Sequence, residues 1–241
     1  MKQLKVLQEN LAQIVQQNDL GAKEIIVRAF PLSPEEAIGN PKERDYPLVR
    51  GKERLMQAEF QGAQGQAFTD MYGDFGGTLA KVLEMDLKDN FCRAVFISTL
   101  NAVMRYTGLV SGSIHCKDDD PHKCAQKLVE YLKERYGGRK IALVGFQPRM
   151  AEAISQQFDL RVTDLNGENI GREKRGVRIW GPEKTAEHLE WCDLALVTGT
   201  TVANGTLDRF LHGPKPAIFY GVTIAGPARL LHLERFCPLS R

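Results

Sequence analysis

The chain has 241 residues, 43% apolar and 26% charged, and its 32 basic side chains stand against 30 acidic ones for a net charge of +2. That is a globular profile with room for one large domain or two modest ones, and its balanced charge excludes an electrostatic case for nucleic acid or an anionic membrane. No apolar run approaches the roughly 20 residues that span a bilayer, so the expectation is a cytoplasmic, non-membrane protein whose partner is a small-molecule ligand; a homo-oligomer is compatible with the sequence.

At the N-terminus, Leu4, Leu7, Leu11 and Ile14 recur at helical spacing. The stretch predicts an amphipathic helix docked on its own domain, without the continuous apolar run of a secretory signal. "EIIVRAF" predicts a strand, and "KERLMQAEF", "QGAQG" and "QAFTD" a hairpin. "YGDFGG" reads as a glycine-rich loop. Thr78 is placed to cap a short helix, and Asn90 a longer one, "FCRAVFISTLNAVMRYT", that stops at Gly108. This half is an antiparallel meander followed by helices.

Near residue 110 the rhythm changes to β-α-β-α. Asp120-Pro121 reads as an N-cap and first-turn proline of a helix reaching Tyr136. Strands "KIALVGF", "LRVTDL", "GVRIW", "DLALVTG" and "KPAIFYG" then alternate with helices "PRMAEAISQQF", "PEKTAEHLEW", "VANGTLDRFL" and "GPARLLHLE". The strands are continuous apolar runs, as in a parallel sheet covered on both faces. The expected fold class is α/β: an α+β domain over residues 1–110, then a Rossmann-like, doubly wound parallel sheet over 111–241.

In such a sheet the ligand crevice lies beyond the carboxyl ends of the strands. That rule selects Gly145 to Pro148 after the first strand, Asp164 after the second, Thr198, Gly199, Thr200 and Thr201 with Asn204 after "DLALV", and Tyr220, Gly221, Val222 and Thr223 after "PAIF". Only Gly145 of a G-x-G-x-x-G fingerprint is present, which argues against a standard NAD enzyme, and no motif identifies a cofactor. Asp164 stands where a carboxylate accepts from ribose hydroxyls, or where it caps the turn Leu165-Asn166-Gly167. Four threonines exceed what one helix cap needs, and the surplus hydroxyls and amides suit a polar ligand. From the first half, Ser98, Asn101 and Arg105 share a helix face that is either solvated or lines an interdomain cleft. Thr69 and Glu59 of the hairpin are weaker candidates. Asp164 or Glu59 would act as acid/base.

"IHCKDDDPHKC" contains His, Cys and Asp ligand types, but His122 and Cys124 do not share a helix face, and Cys124, Leu128 and Leu132 form an apolar stripe. No metal ligand is assigned. The five cysteines lack regular spacing and read as free thiols in a reducing compartment. "GREKRGVR" is a basic loop, solvated or holding a phosphate.

The segments "KERLMQAEFQGAQGQAFTD", "STLNAVMRYTGL", "KIALVGFQPRMAEAI", "RVTDLN", "WCDLALVTGTTVANGTLD" and "IFYGVTIAGPARLL" together resemble the uncharacterised heavy-metal chelation domain family, over about residues 44–238. The resemblance implies an enolase-N-terminal-like domain before a Rossmann-like domain, with the site between them. It also implies condensation or hydrolysis of pterin-, flavin- or siderophore-like metabolites, in a heavy-metal context. Its cleft carries over to Thr69, Asn101, Gly145, Asp164, Thr198 to Thr201, Asn204 and Tyr220 to Thr223. The alternatives are a non-catalytic binder of a chelator or metal chelate, and an S-adenosylmethionine-dependent methyltransferase-like enzyme.

Overall fold

The computed structural model describes residues 2–20, 26–43, 45–46, 48, 52–137, 140–213 and 215–241. Two sheets organise them. The first is antiparallel: β1 (Ile26–Pro31), β2 (Arg54–Phe60), β3 (Ala63–Thr69) and β4 (Phe75–Thr78) stand in the order β3-β2-β1-β4. The hairpin forms as expected, with Arg54 opposite Thr69 and Phe60 opposite Ala63. Gln61 and Gly62 turn it with φ of 49° and 80°, the paired positive values that match hairpin twist. Residues 24 and 25 of the expected first strand lie outside the described residues.

The supposed glycine-rich loop is partly strand. Phe75 to Thr78 pair with β1 at the sheet edge, where two glycines can be accommodated because only one neighbour must be packed. Helix α1 (Lys2–Gln17) buries Leu4, Leu7, Leu11 and Ile14. Helix α2 (Pro34–Ile38) carries a capping box between Ser33 and Glu36, a signal present in the sequence but not read above. Thr78 caps α3 (Leu79–Leu83) through Lys81 N. The long helix α4 (Asn90–Tyr106) is capped by Asp89, not Asn90: the Asp89 carboxylate accepts from Cys92 N at 2.8 Å.

The second sheet has seven strands: β5 (Lys140–Val144), β6 (Asp159–Thr163), β7 (Glu173–Lys174), β8 (Val177–Trp180), β9 (Leu194–Thr198), β10 (Ala217–Tyr220) and β11 (Arg235–Phe236). Their order is β11-β10-β9-β5-β6-β8-β7, and all neighbours are parallel except β7 and β8. Setting aside β7, this is the doubly wound order in which chain direction reverses between the first strand and the fourth, here β5 and β9. The connecting helices are α5 (Asp120–Arg135), α6 (Pro148–Ser155), α7 (Thr185–Trp191), α8 (Thr200–Ala203), α9 (Asp208–Leu211) and α10 (Ala225–Leu230).

Three expectations are corrected. The single helix after β9 is two short ones, interrupted where Asn204 accepts from the Thr206 amide and hydroxyl. The N-cap position of α5 is Asp119, without a side-chain cap bond. The basic loop is a tight hairpin turned at Arg175-Gly176, with φ of 54° and 74°.

The strands read as continuous apolar runs because alternate residues feed different cores. Leu194 and Leu196 face Leu128, Leu132 and Ile154 on one side, while Ala195 and Val197 join the larger core on the other. That larger core also contains Leu7, Met56 and Phe60 from the first half. Helix α4 runs through it with every residue from Arg93 to Met104 buried. The stripe Ser98, Asn101, Arg105 is therefore not a solvent face.

Candidate functional site

Beyond the carboxyl ends of β5, β6, β9 and β10 lies a cavity of about 420 Å³, within the range that takes a small metabolite. It opens at the reversal point between β5 and β9, the place where open α/β sheets bind ligands. The first half closes it from the other side, with Phe68 of β3, Glu53 just before β2, and Ile38, Tyr46 and Leu48.

Gly145 ends β5 with φ of +89°. A side chain there would meet the Thr198 methyl at 2.8 Å and the Tyr220 hydroxyl at 3.0 Å, so glycine is required by both conformation and space. The Tyr220 phenol donates to the Gly145 carbonyl at 2.8 Å, and burial pushes its pKa well above the usual range. Thr198 lies beside this phenol as a further partner, and its hydroxyl is 3.1 Å from that of Thr200. Tyr220, Thr198 and Thr200 thus form a line of hydroxyls along the cavity wall.

The other threonines are spent. Thr201 is 2% exposed and donates to the Thr198 carbonyl at 2.8 Å. Thr223 is 1% exposed and accepts from Phe68 N at 2.9 Å, stitching β3 to the parallel-sheet unit. Both contribute atoms to the wall but have used their hydroxyls internally. Gly199 is small because a Cβ would sit 2.9 Å from Ile224 N. Packing, not ligand approach, explains that glycine. Asn204 and Gly221 also line the cavity.

Asp164 follows β6. One carboxylate oxygen accepts from Phe146 N and the other from Asn166 N, each at 2.6 Å. Burial raises its pKa, and the two amides oppose the rise. The helix after β5 is closed to phosphate by its own residues, since Pro148 begins it and the Gln147 side chain accepts from Met150 N at 2.6 Å.

The carboxylate that sequence reasoning missed is Glu53. It is half-buried, lines the cavity, and makes no hydrogen bond or ion pair through its side chain with any described residue. Burial, then the neighbouring charges of Asp164 and Asp70, push its pKa up to about 7. Glu59, the candidate the sequence offers from this hairpin, lies within β2. It lies six residues further on, about 20 Å away at strand rise, where it pairs across the hairpin with Gln64. Glu59 does not line the cavity. Alternation made the two equivalent by face; only the tertiary packing decides which end of β2 meets the crevice.

Three more expected cleft residues are not on its wall, and of these Val222 is fully buried in the core. The Thr69 hydroxyl bonds the Met71 amide and carbonyl in a local turn. Asn101 is fully buried. Its amide donates to the carbonyls of Gln66, Val222 and Thr223, and its oxygen accepts from Gly226 N at 2.7 Å. A polar side chain in mid-helix here joins the two halves. Arg175 of the basic hairpin is likewise committed, to Asp45 at 2.6 Å and Glu152 at 3.4 Å.

His115, Cys116, Cys124 and Cys237 also line the cavity. Burial pushes the Cys116 thiol up to about 12 and Cys124 higher still, and it lowers the pKa of His115. Metal-binding sulfur is thiolate, and among the described residues no three His, Cys, Asp or Glu side chains converge so as to hold a metal ion.

Fold and crevice together define a Rossmann-like α/β protein, its switch-point cavity covered by an antiparallel unit. Residues 127–237 match the family model DUF364, described as "Putative heavy-metal chelation", which bears out the resemblance read from the sequence. Two solved structures share the fold. A protein of unknown function from the DUF364 family of Pyrococcus horikoshii has a TM-score of 0.54 and 14% identity, over 90% of this chain and 78% of that one. A second protein of unknown function from that family, from Desulfitobacterium hafniense DCB-2, has a TM-score of 0.51 and 14% identity, over 74% of this chain and 72% of that one. Comparison with curated proteins finds no match. No helix among the described residues is long and apolar enough to cross a membrane.

Proposed function

We propose that the chain is an enzyme that binds a small metabolite in the switch-point cavity, with Glu53 as the proton-transferring group. The observation that carries this reading is a carboxylate without a bonded partner among the described residues, facing a ligand-sized cavity opposite a second carboxylate. The two environments differ. Asp164 has an amide donor on each oxygen, which favours its ionised form; Glu53 has none and keeps its proton to about pH 7. Burial raises both groups, and amide donors oppose the rise at Asp164 alone; carboxyl groups in unlike environments divide the roles of acid and base, and a group titrating near neutrality can both give and take a proton. Thr198 and Thr200 would orient the ligand through their hydroxyls, and Asn204 at the cavity edge would add an amide.

The reaction is condensation or hydrolysis of a pterin-, flavin- or siderophore-like metabolite. The link to heavy metal runs through that organic chelator, since the described side chains offer no converging ligand set. A thermal-shift screen of pterins, flavins, nucleotides, S-adenosylmethionine and divalent metals tests this. A pterin or flavin should raise the melting temperature, Thr200→Val should abolish the shift, and His122→Ala should leave it intact. The reverse mutant pattern would move the site to the His/Cys segment, and a shift by metals alone would overturn it. Stabilisation without turnover of any hit would favour the non-catalytic binder.

A methyltransferase-like activity is the second reading. It is favoured by the strand order together with Asp164 at the end of the second strand, a position suited to ribose hydroxyls. S-adenosylmethionine as the strongest stabiliser, lost in Asp164→Asn, would select it.

A further inference from the structure

The charge of the cavity wall says which ligands it admits. Glu53 and Asp164 both face the space. Among the described lining residues the only cationic side chain is Arg209, which is exposed to solvent. Lys174, not itself on the wall, donates to Asn169 there and draws the Asp164 pKa down. A further cation is Arg149. It is 2% exposed, is not part of the wall, and is engaged by Asp45 at 2.8 Å and Glu152 at 2.9 Å. The helix start that might have received a phosphate is closed by Gln147 and Pro148. Aromatic and apolar surface supplies much of the remainder, from Phe68, Phe146, Met150 and Phe210.

An anion entering such a space would meet the carboxylates of Glu53, Asp164 and exposed Glu183, against one exposed guanidinium, Arg209. A ligand with N–H donors would meet two acceptors, and a positive charge on it would neutralise the excess. We infer that the cavity selects a flat ligand bearing an amidine-, guanidine- or amine-type donor edge, cationic or neutral, and rejects carboxylates and phosphates of the same shape. This inference rests on the reading of the cavity as a ligand site and adds the chemical class of the ligand.

The groups facing Glu53 come from several elements. They are Asp70 after β3, Asp164 after β6 and Tyr220 at the end of β10. Arg54, which begins β2, donates to the Glu53 carbonyl and lies over the Tyr72 ring. His115, also on the wall, is favoured in its neutral form by burial. Burial and the charges of Asp164 and Asp70 disfavour ionisation of Glu53, so a cationic ligand and the Glu53 proton compete for one position. Affinity for a cation should therefore rise with pH through about 7.

The experiment is calorimetric titration of the full chain with benzamidine and with benzoate, matched in shape and opposite in charge, at pH 6 and pH 8. At pH 8 benzamidine should bind at least about tenfold more tightly than benzoate, and its affinity should fall about tenfold at pH 6, where Glu53 is mostly protonated. Glu53→Gln should lose both the preference and the pH dependence; it removes a buried charge, so it should fold. Benzoate binding as tightly as benzamidine, or a preference that survives in Glu53→Gln, would overturn the inference while leaving a ligand site in place. Binding of neither probe at millimolar concentration would overturn the ligand-site reading itself, and this inference with it.

Discussion

Glu53 and Asp164 illustrate how two chemically similar side chains acquire different properties from what surrounds them. The burial of Glu53, with no bonded partner among the described residues, has a cost that can be measured. Its folded pKa, about 7, lies above the ordinary glutamate value of 4.5. Between those values the folded chain binds a proton that the unfolded chain has released, so stability falls as pH rises across the window. Glu53→Gln should thus be more stable than the parent at pH 8, by about 1–3 kcal/mol, with the difference vanishing below about pH 4.5; urea unfolding at several pH values measures it. A less stable variant at pH 8 would mean that the carboxylate is paired. Asn101 should behave oppositely. Asn101→Ala strands three carbonyls and one amide in the interior, at about 2–4 kcal/mol, and should lower the urea midpoint.

At the scale of elements, the turns that close the cavity are held by contacts rather than by local preference alone. Gly145→Ala forces a side chain against Thr198 and Tyr220 at positive φ, and should destabilise by about 1–3 kcal/mol while distorting the hydroxyl line. The network of Arg149 with Asp45, Glu152 and Glu43, reinforced by Arg175, fastens the segment around Asp45 to α6 and to the β7–β8 hairpin. Removing Arg149 leaves acceptors without their central donor. Arg149→Met should cost about 2–3 kcal/mol in urea unfolding, less than a full buried-pair break because Arg175 still serves Asp45.

Much of this element order is legible in the sequence, because apolar period and turn residues are local signals. Leu4, Leu7, Leu11 and Ile14 specify their helix, and "DLALV" its strand. The break at Asn204-Gly205 and the strand nature of Phe75 to Thr78 are not legible, since each depends on a partner distant in sequence. The candidate site divides the same way. The strand-end rule brings Gly145, Asp164, Thr198, Thr200 and Tyr220 to one wall. It is silent about the opposite wall, where Glu53 rather than Glu59 faces the space. It also cannot separate a cavity hydroxyl such as that of Thr200 from Thr223, whose hydroxyl joins the two units.

For the whole molecule, the decisive feature is that the antiparallel unit and the parallel sheet share one core. Phe60, Phe96, Leu100, Val197 and Phe219 belong to a single buried cluster, and Asn101 and Thr223 bond across the same boundary. The two halves should therefore unfold in one cooperative transition, with coincident fluorescence and circular dichroism curves; two separated transitions would show independent domains. A cavity built between such halves is bounded by one shared core, which suits the proposed site, with its acid and base from different units. The most direct measurement is a 13C NMR titration of the Glu53 side-chain carboxyl in the intact chain, alone and with benzamidine. A midpoint at about 7 that moves to lower pH when the cation is present is the expected result. A midpoint near the ordinary value of 4.5, unchanged by the cation, would contradict a buried carboxylate serving a ligand in this cavity.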